Sequence, residues 1–72
     1  MTQRWTVWSV LGDGNVFDVL TTTDPREALA KLESEVQKYA HHRHHAHGIS
    51  DPDNPERGDV SDRCEEAAME SA

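Results

Sequence analysis

The stretch WTVWSVLGDGNVFDVL, residues 5–20, decides the fold. Its two halves, Trp5 to Leu11 and Val16 to Leu20, are rich in aromatic and β-branched side chains, which suit a pleated, half-buried surface. Thr21 and Thr22 extend the second half. Between the halves lie Gly12, Asp13, Gly14 and Asn15. Asp-Gly favours a type I′ corner, because both central residues there need positive φ. A corner at Asp13 and Gly14 sets Leu11 opposite Val16, Val10 opposite Phe17, Trp8 opposite Val19 and Val7 opposite Leu20. A Gly14–Asn15 corner is the alternative register.

The hairpin is apolar on both sides. One face carries Thr6, Trp8, Val10, Phe17, Val19 and Thr21; the other carries Trp5, Val7, Ser9, Leu11, Val16, Asp18 and Leu20. An antiparallel sheet with one buried face normally alternates apolar and polar side chains. One helix can cover only one of these faces. The expectation is that it covers Trp8, Val10, Phe17 and Val19. Trp5, Val7 and Leu20 are then left as anchors for a partner, tryptophan being enriched at binding hot spots.

That helix begins at Asp24-Pro25-Arg26-Glu27. Asp24 suits the N-cap, Pro25 the first helical position, and Glu27 can reach back to the cap. The spacing of Leu29, Leu32, Val36, Tyr39 and Ala40 predicts an amphipathic helix from Pro25 to about His42, with that stripe inward. The hairpin followed by Asp24-Pro25-Arg26-Glu27-Ala28-Leu29 resembles the start of HicB-type antitoxins. The strand such proteins place before the helix has no room in Thr21–Thr23, and no function is carried over.

His41, His42, His44, His45 and His47 follow, closed by Gly48. If the helix runs through them, Gly48 is a natural C′ residue, and His41 and His45 lie one turn apart with His44 beside them. Imidazoles at that spacing chelate Zn²⁺ or Ni²⁺, which makes His41, His44 and His45 the candidate metal ligands. A shared pH response is the other use of five histidines.

Residues 49–72 read as an acidic, flexible tail separate from a hairpin–helix domain at 1–48. The segment ISDPDNPERG lacks periodicity. A short helix over 60–70 is expected from the capping-box spacing of Asp62 and Glu65, with Cys64, Ala67 and Ala68 as a thin apolar side. Asp51 and Asp53 do not open a calcium loop, since Pro55 and Glu56 stand where a ligand and a glycine are required. The charge is uneven: residues 1–48 hold six acids and five bases, residues 49–72 eight acids and two bases. A net charge of −7 disfavours direct nucleic-acid binding, which relies on Lys and Arg to displace counterions.

The opening MTQRWTVWSV lacks a signal-peptide pattern. No run approaches the roughly 18 apolar residues of a membrane span. The single cysteine, Cys64, allows no intramolecular disulfide. A cytoplasmic setting with no membrane association is expected. The expected fold class is α+β: a two-stranded antiparallel hairpin packed by one helix (ββα), with the acidic tail. An isolated two-stranded sheet is marginal and its edges invite pairing. A homodimer with a four-stranded sheet is therefore expected.

No nucleophile, phosphate loop or paired carboxylate marks an enzyme. The residues favour a non-enzymatic protein–protein interaction module with no cofactor. Its size and character are those of phage-encoded or bacterial accessory inhibitors that occupy a surface on a larger protein. The alternative is a metal- or pH-sensing protein using the histidine cluster with Zn²⁺ or Ni²⁺.

Overall fold

The computed structural model describes residues 2–12, 14–42 and 44–70. The elements in chain order are β1 (Trp5–Leu11), β2 (Val16–Thr22), α1 (Pro25–Lys38), β3 (His45–Ser50), a 3-10 turn at Pro55–Arg57 and α2 (Ser61–Glu70). The class is α+β, as expected. The sheet, however, has three strands in the order β2-β1-β3, with β1 antiparallel to both neighbours. β2 and β3 thus run parallel to each other on either side of β1. Parallel strands need a crossover, usually helical, and α1 is that crossover.

α1 starts as its sequence predicts. The Asp24 side chain accepts from the Arg26 N–H at 3.0 Å, with Pro25 in the first turn. The Asp24 N–H donates to Thr22 Oγ1 at 3.1 Å, the role expected of Glu27. α1 ends at Lys38 rather than His42: the Tyr39 N–H still donates to the Glu35 carbonyl, but the Ala40 and His42 N–H groups close short turns onto Gln37 and Tyr39. The chain then returns as β3 to the free edge of β1. Left open, that edge would present a row of unpaired main-chain groups. β3 supplies from within the chain the pairing that a second copy was expected to supply in a four-stranded dimer.

The β1–β2 register is split. Trp5, Thr6 and Val7 pair with Thr22, Thr21 and Leu20, the last as predicted. A bulge at Val19 then shifts the ladder, so Trp8, Ser9 and Val10 face Asp18, Phe17 and Val16. Phe17 thereby moves to the Ser9 side, and Val16 to the Val10 side. At the corner, the Gly14 N–H donates to the Leu11 carbonyl at 2.8 Å, and Gly14 has a φ of 85°, which glycine adopts at no steric cost. Asp13, the other half of the predicted corner, lies outside the described residues.

The core is on the face opposite to the one expected. Trp5, Val7 and Ile49 are buried together with Ala28 of α1 and with Val60 and Cys64 at the start of α2, while Leu20, Leu29, Leu32 and Ala67 pack around them. α1 is turned so that Ala28 and Glu35 are buried, leaving Val36, expected inside, 43% exposed. Ala28 thus joins the core itself, with Leu29 and Leu32 packed against its margin.

Residues 49–70 are packed with the hairpin and α1 rather than set apart from them as a tail. The boundary expected after Gly48 falls inside β3, and the helix expected over 60–70 is present as α2. The connection is built on Asp51, whose side chain is buried. Its carboxylate accepts from the Asp53 N–H at 2.9 Å, from Asn54 Nδ2 at 3.4 Å and from Arg57 at 3.4 Å. Burial pushes the Asp51 pKa up, but these hydrogen bonds, one from Gln3 and the Arg57 charge outweigh it and hold the group below its ordinary 3.8. An Asx-rich segment without periodicity is thereby an ordered connection.

Removing residues 59–72 strips Val60, Cys64 and Ala67 from a core of very few side chains. This truncation is expected to abolish the cooperative thermal transition measured by circular dichroism. A truncated chain that melts like the full one would show that α2 is dispensable. A depressed carboxylate pKa stabilises the fold above its ordinary range, and that stability is lost as pH falls through the folded value. Asp51→Asn is therefore expected to lower urea resistance at neutral pH, with the gap to the parent closing in acid below the ordinary value of 3.8.

Candidate interaction face and histidine pair

Both helices pack on the side of the sheet that carries Trp5, Val7 and Ile49. The expected anchors Trp5, Val7 and Leu20 are therefore inside the chain, with Val7 0% exposed. The cross-strand pairs assign the other face: Thr6, Trp8 and Val10 of β1, Thr21, Asp18 and Val16 of β2, and Ser50, Gly48 and Ala46 of β3. No helix among the described residues lies over it. Val16 is 62% exposed there.

Trp8 is the centre of that face, and Gly48 is the reason it lies flat. A Cβ built at Gly48 would overlap Trp8 Cζ2 and sit 2.8 Å from Cε2. The indole thus occupies the space where a β3 side chain would stand. An aromatic laid over a strand glycine restores the packing that glycine gives up. Thr6 and Thr21 share a hydrogen bond of 2.9 Å beside it.

The sheet edges are less available than its face. The bulge at Val19 breaks the regular ladder of β2, a feature that discourages further pairing. On β3, the Ile49 carbonyl accepts from the Val60 N–H at 2.7 Å, and the Ile49 N–H donates to Asp59 at 3.3 Å. The chain entering α2 thus closes the Ile49 end of that edge.

The helix side of the sheet, beyond the apolar core, holds a polar chain. Ser9 Oγ lies 2.7 Å from His47 Nδ1, and His47 Nε2 lies 3.0 Å from His45 Nδ1. Tyr39 stacks on His47 with centroids 5.8 Å apart and planes 19° apart. Burial lowers the His47 pKa, the neighbouring His45 lowers it further, and the Glu35 carboxylate works in the opposite direction. Ser9 is 2% exposed, so its hydroxyl is closed to a substrate. The arrangement orients an imidazole; it does not present a nucleophile.

The predicted ligand set is dispersed. His41 lies in the turn after α1, His44 in the bend before β3, and only His45 is in a strand. The one-turn spacing of His41 and His45 required a helix that ends at Lys38. Among the described residues, no three His, Cys, Asp or Glu side chains are grouped to hold a metal ion. His47, Ser9 and Trp8 are what sequence reading missed. Their signal was the alternation of His45, His47 and Ile49, a strand pattern hidden inside a histidine run.

Cys64 is fully buried and donates to the Pro25 carbonyl at 3.4 Å. Burial, with Glu65 and Asp24 nearby, pushes its thiol up to about 11, which suits a packing role rather than reactivity. No helix among the described residues is long and apolar enough to cross a membrane. No protein-family model matches the chain, and comparison with curated proteins and with solved structures finds no match.

Gly48→Ala is expected to destabilise the fold by about 1–3 kcal/mol in urea denaturation, an overpacking cost. The second substitution Trp8→Ala should recover part of that loss. Equal and additive costs for the two would show that the indole does not rest on Gly48.

Proposed function

We propose that the chain is a small non-enzymatic interaction module that occupies a surface on a larger protein. The observation that supports this reading is the asymmetry of the sheet. Two helices share one face, while Trp8, Val10, Val16 and Ala46 line the other. A tryptophan held flat on a rigid sheet is a low-entropy contact, since little side-chain freedom is left to lose on binding. Trp8, Val10 and Val16 take the anchoring role that sequence reading gave to Trp5, Val7 and Leu20.

Partner chemistry follows from charge. The net charge is −7, and the open face itself carries Asp18 opposite Trp8, while Asp62, Glu65, Glu66 and Glu70 are exposed on α2 on the other side of the sheet. Such a field speeds encounter with a basic surface over distances of a Debye length or so. A basic protein surface with an apolar centre fits the face. A nucleic acid does not. The edge-to-edge homodimer loses its main argument, because β3 fills the edge that a second copy was to take.

A photo-crosslinking side chain placed at Val16 tests this in extracts of the source cells, with one at Glu66 as control. Position 16 is expected to capture a discrete partner that position 66 does not. Val10→Lys should abolish that capture without loss of fold by circular dichroism, and added salt should weaken it. Equal capture from both positions, or capture indifferent to Val10→Lys, would overturn the assignment of the face.

A further inference from the structure

We propose that His45 and His47 form a two-point chelating site for a late divalent transition-metal ion, with Ser9 and Tyr39 fixing the inner imidazole. Residues two apart on a strand project to the same side. β3 places His45 and His47 so, on the helix side of the sheet and opposite Leu11 and Ser9. Their facing nitrogens, His45 Nδ1 and His47 Nε2, share a hydrogen bond of 3.0 Å, with ring planes tilted by 46°. Metal–imidazole bonds of about 2.0–2.1 Å put two nitrogens on one ion roughly 2.9–3.4 Å apart, from square-planar to tetrahedral angles. A bound ion would replace the proton the two nitrogens share, at nearly the same nitrogen–nitrogen spacing.

The inner ring is held for this role. His47 Nδ1 lies 2.7 Å from Ser9 Oγ, and in the tautomer with Nδ1–H donating to that hydroxyl, Nε2 is the ring's metal-ligating nitrogen. Such a hydrogen bond to the far ring nitrogen sets the tautomer and orientation of metal-binding histidines. Tyr39 stacks on the same ring. Glu35, buried on α1, supplies nearby negative charge. Both histidines are half-buried, so the site opens to solvent. No third side-chain ligand is grouped with them among the described residues. Water fills the remaining positions, and the bound ion is exchangeable. Two imidazoles with water favour Cu²⁺ over Ni²⁺ and Zn²⁺. This site differs from the His41, His44 and His45 set predicted from sequence, and it does not depend on the interaction reading.

Isothermal titration of the full chain with Cu²⁺ and with Zn²⁺, in a buffer that does not bind metal, tests it. One ion per chain is expected, with Cu²⁺ the tighter. His45→Gln should weaken binding by tenfold or more. Ser9→Ala should weaken it by about tenfold, the lower end for a residue that orients a ligand, with circular dichroism unchanged. A variant carrying both His41→Gln and His44→Gln should bind as the parent does. Imidazole ¹⁵N spectra of the parent chain should show Zn²⁺ shifting His45 Nδ1 and His47 Nε2 selectively, a readout that needs no variant to fold. Affinity indifferent to His45→Gln, loss in the His41→Gln and His44→Gln variant, or Zn²⁺ shifts on other histidines would overturn the proposal.

Discussion

The pairing of β3 with the free edge of β1 is the constraint on which the rest of the structure depends. It makes β1 a central strand, with both edges satisfied inside one short chain. It requires α1 to stop at Lys38 so the chain can return. It carries Ile49 into the core beside Val7 and lays Gly48 beneath Trp8. It also brings His47 onto Ser9, a contact between residues far apart in sequence.

The energetics follow the same line. Chains of this size bury a small share of their surface and are marginal without a staple. Here no disulfide is present, and α2 acts as the additional layer. Val60 and Cys64 complete a core otherwise made of Trp5, Val7, Ala28 and Ile49. Asp51 fixes the connection that delivers them, because its carboxylate gathers donors from Asp53, Asn54 and Arg57. The acidic segment thus packs onto the same core, and four of its exposed carboxylates, Asp62, Glu65, Glu66 and Glu70, sit on α2.

Much of this was legible in the residues, and the failures share a cause. The hairpin, the Asp24 cap and the helix over 60–70 rest on local preferences, and local preferences decide them. The third strand rests on a non-local pairing. Its six residues hold two histidines, an alanine, a glycine and a serine, none a strong strand former, beside the single Ile49. Their inward alternation of His45, His47 and Ile49 was outweighed by the apparent helical spacing of the histidine run. Missing that strand misplaced the rest: it left Trp5 on the outside, suggested a dimer to close the edge, and grouped His41 with His45. The apolar character of both hairpin faces was read correctly, but the choice between them was not. That choice depends on Ile49, Val60 and Cys64, which sequence reading had placed outside the domain.

The most direct test of the account is a through-space proton NMR measurement on the isotope-labelled chain across residues 41–50. Pairing of β3 with β1 requires cross-strand contacts between Ile49 and Val7 and between Ala46 and Val10. It also requires a close contact between the Trp8 indole and the Gly48 α-protons. Sequential helical contacts running from Tyr39 through His47, with no contact from Ile49 to Val7, would contradict it. That result would remove the third strand, return Trp5 to the surface and dissolve the His45–His47 pair.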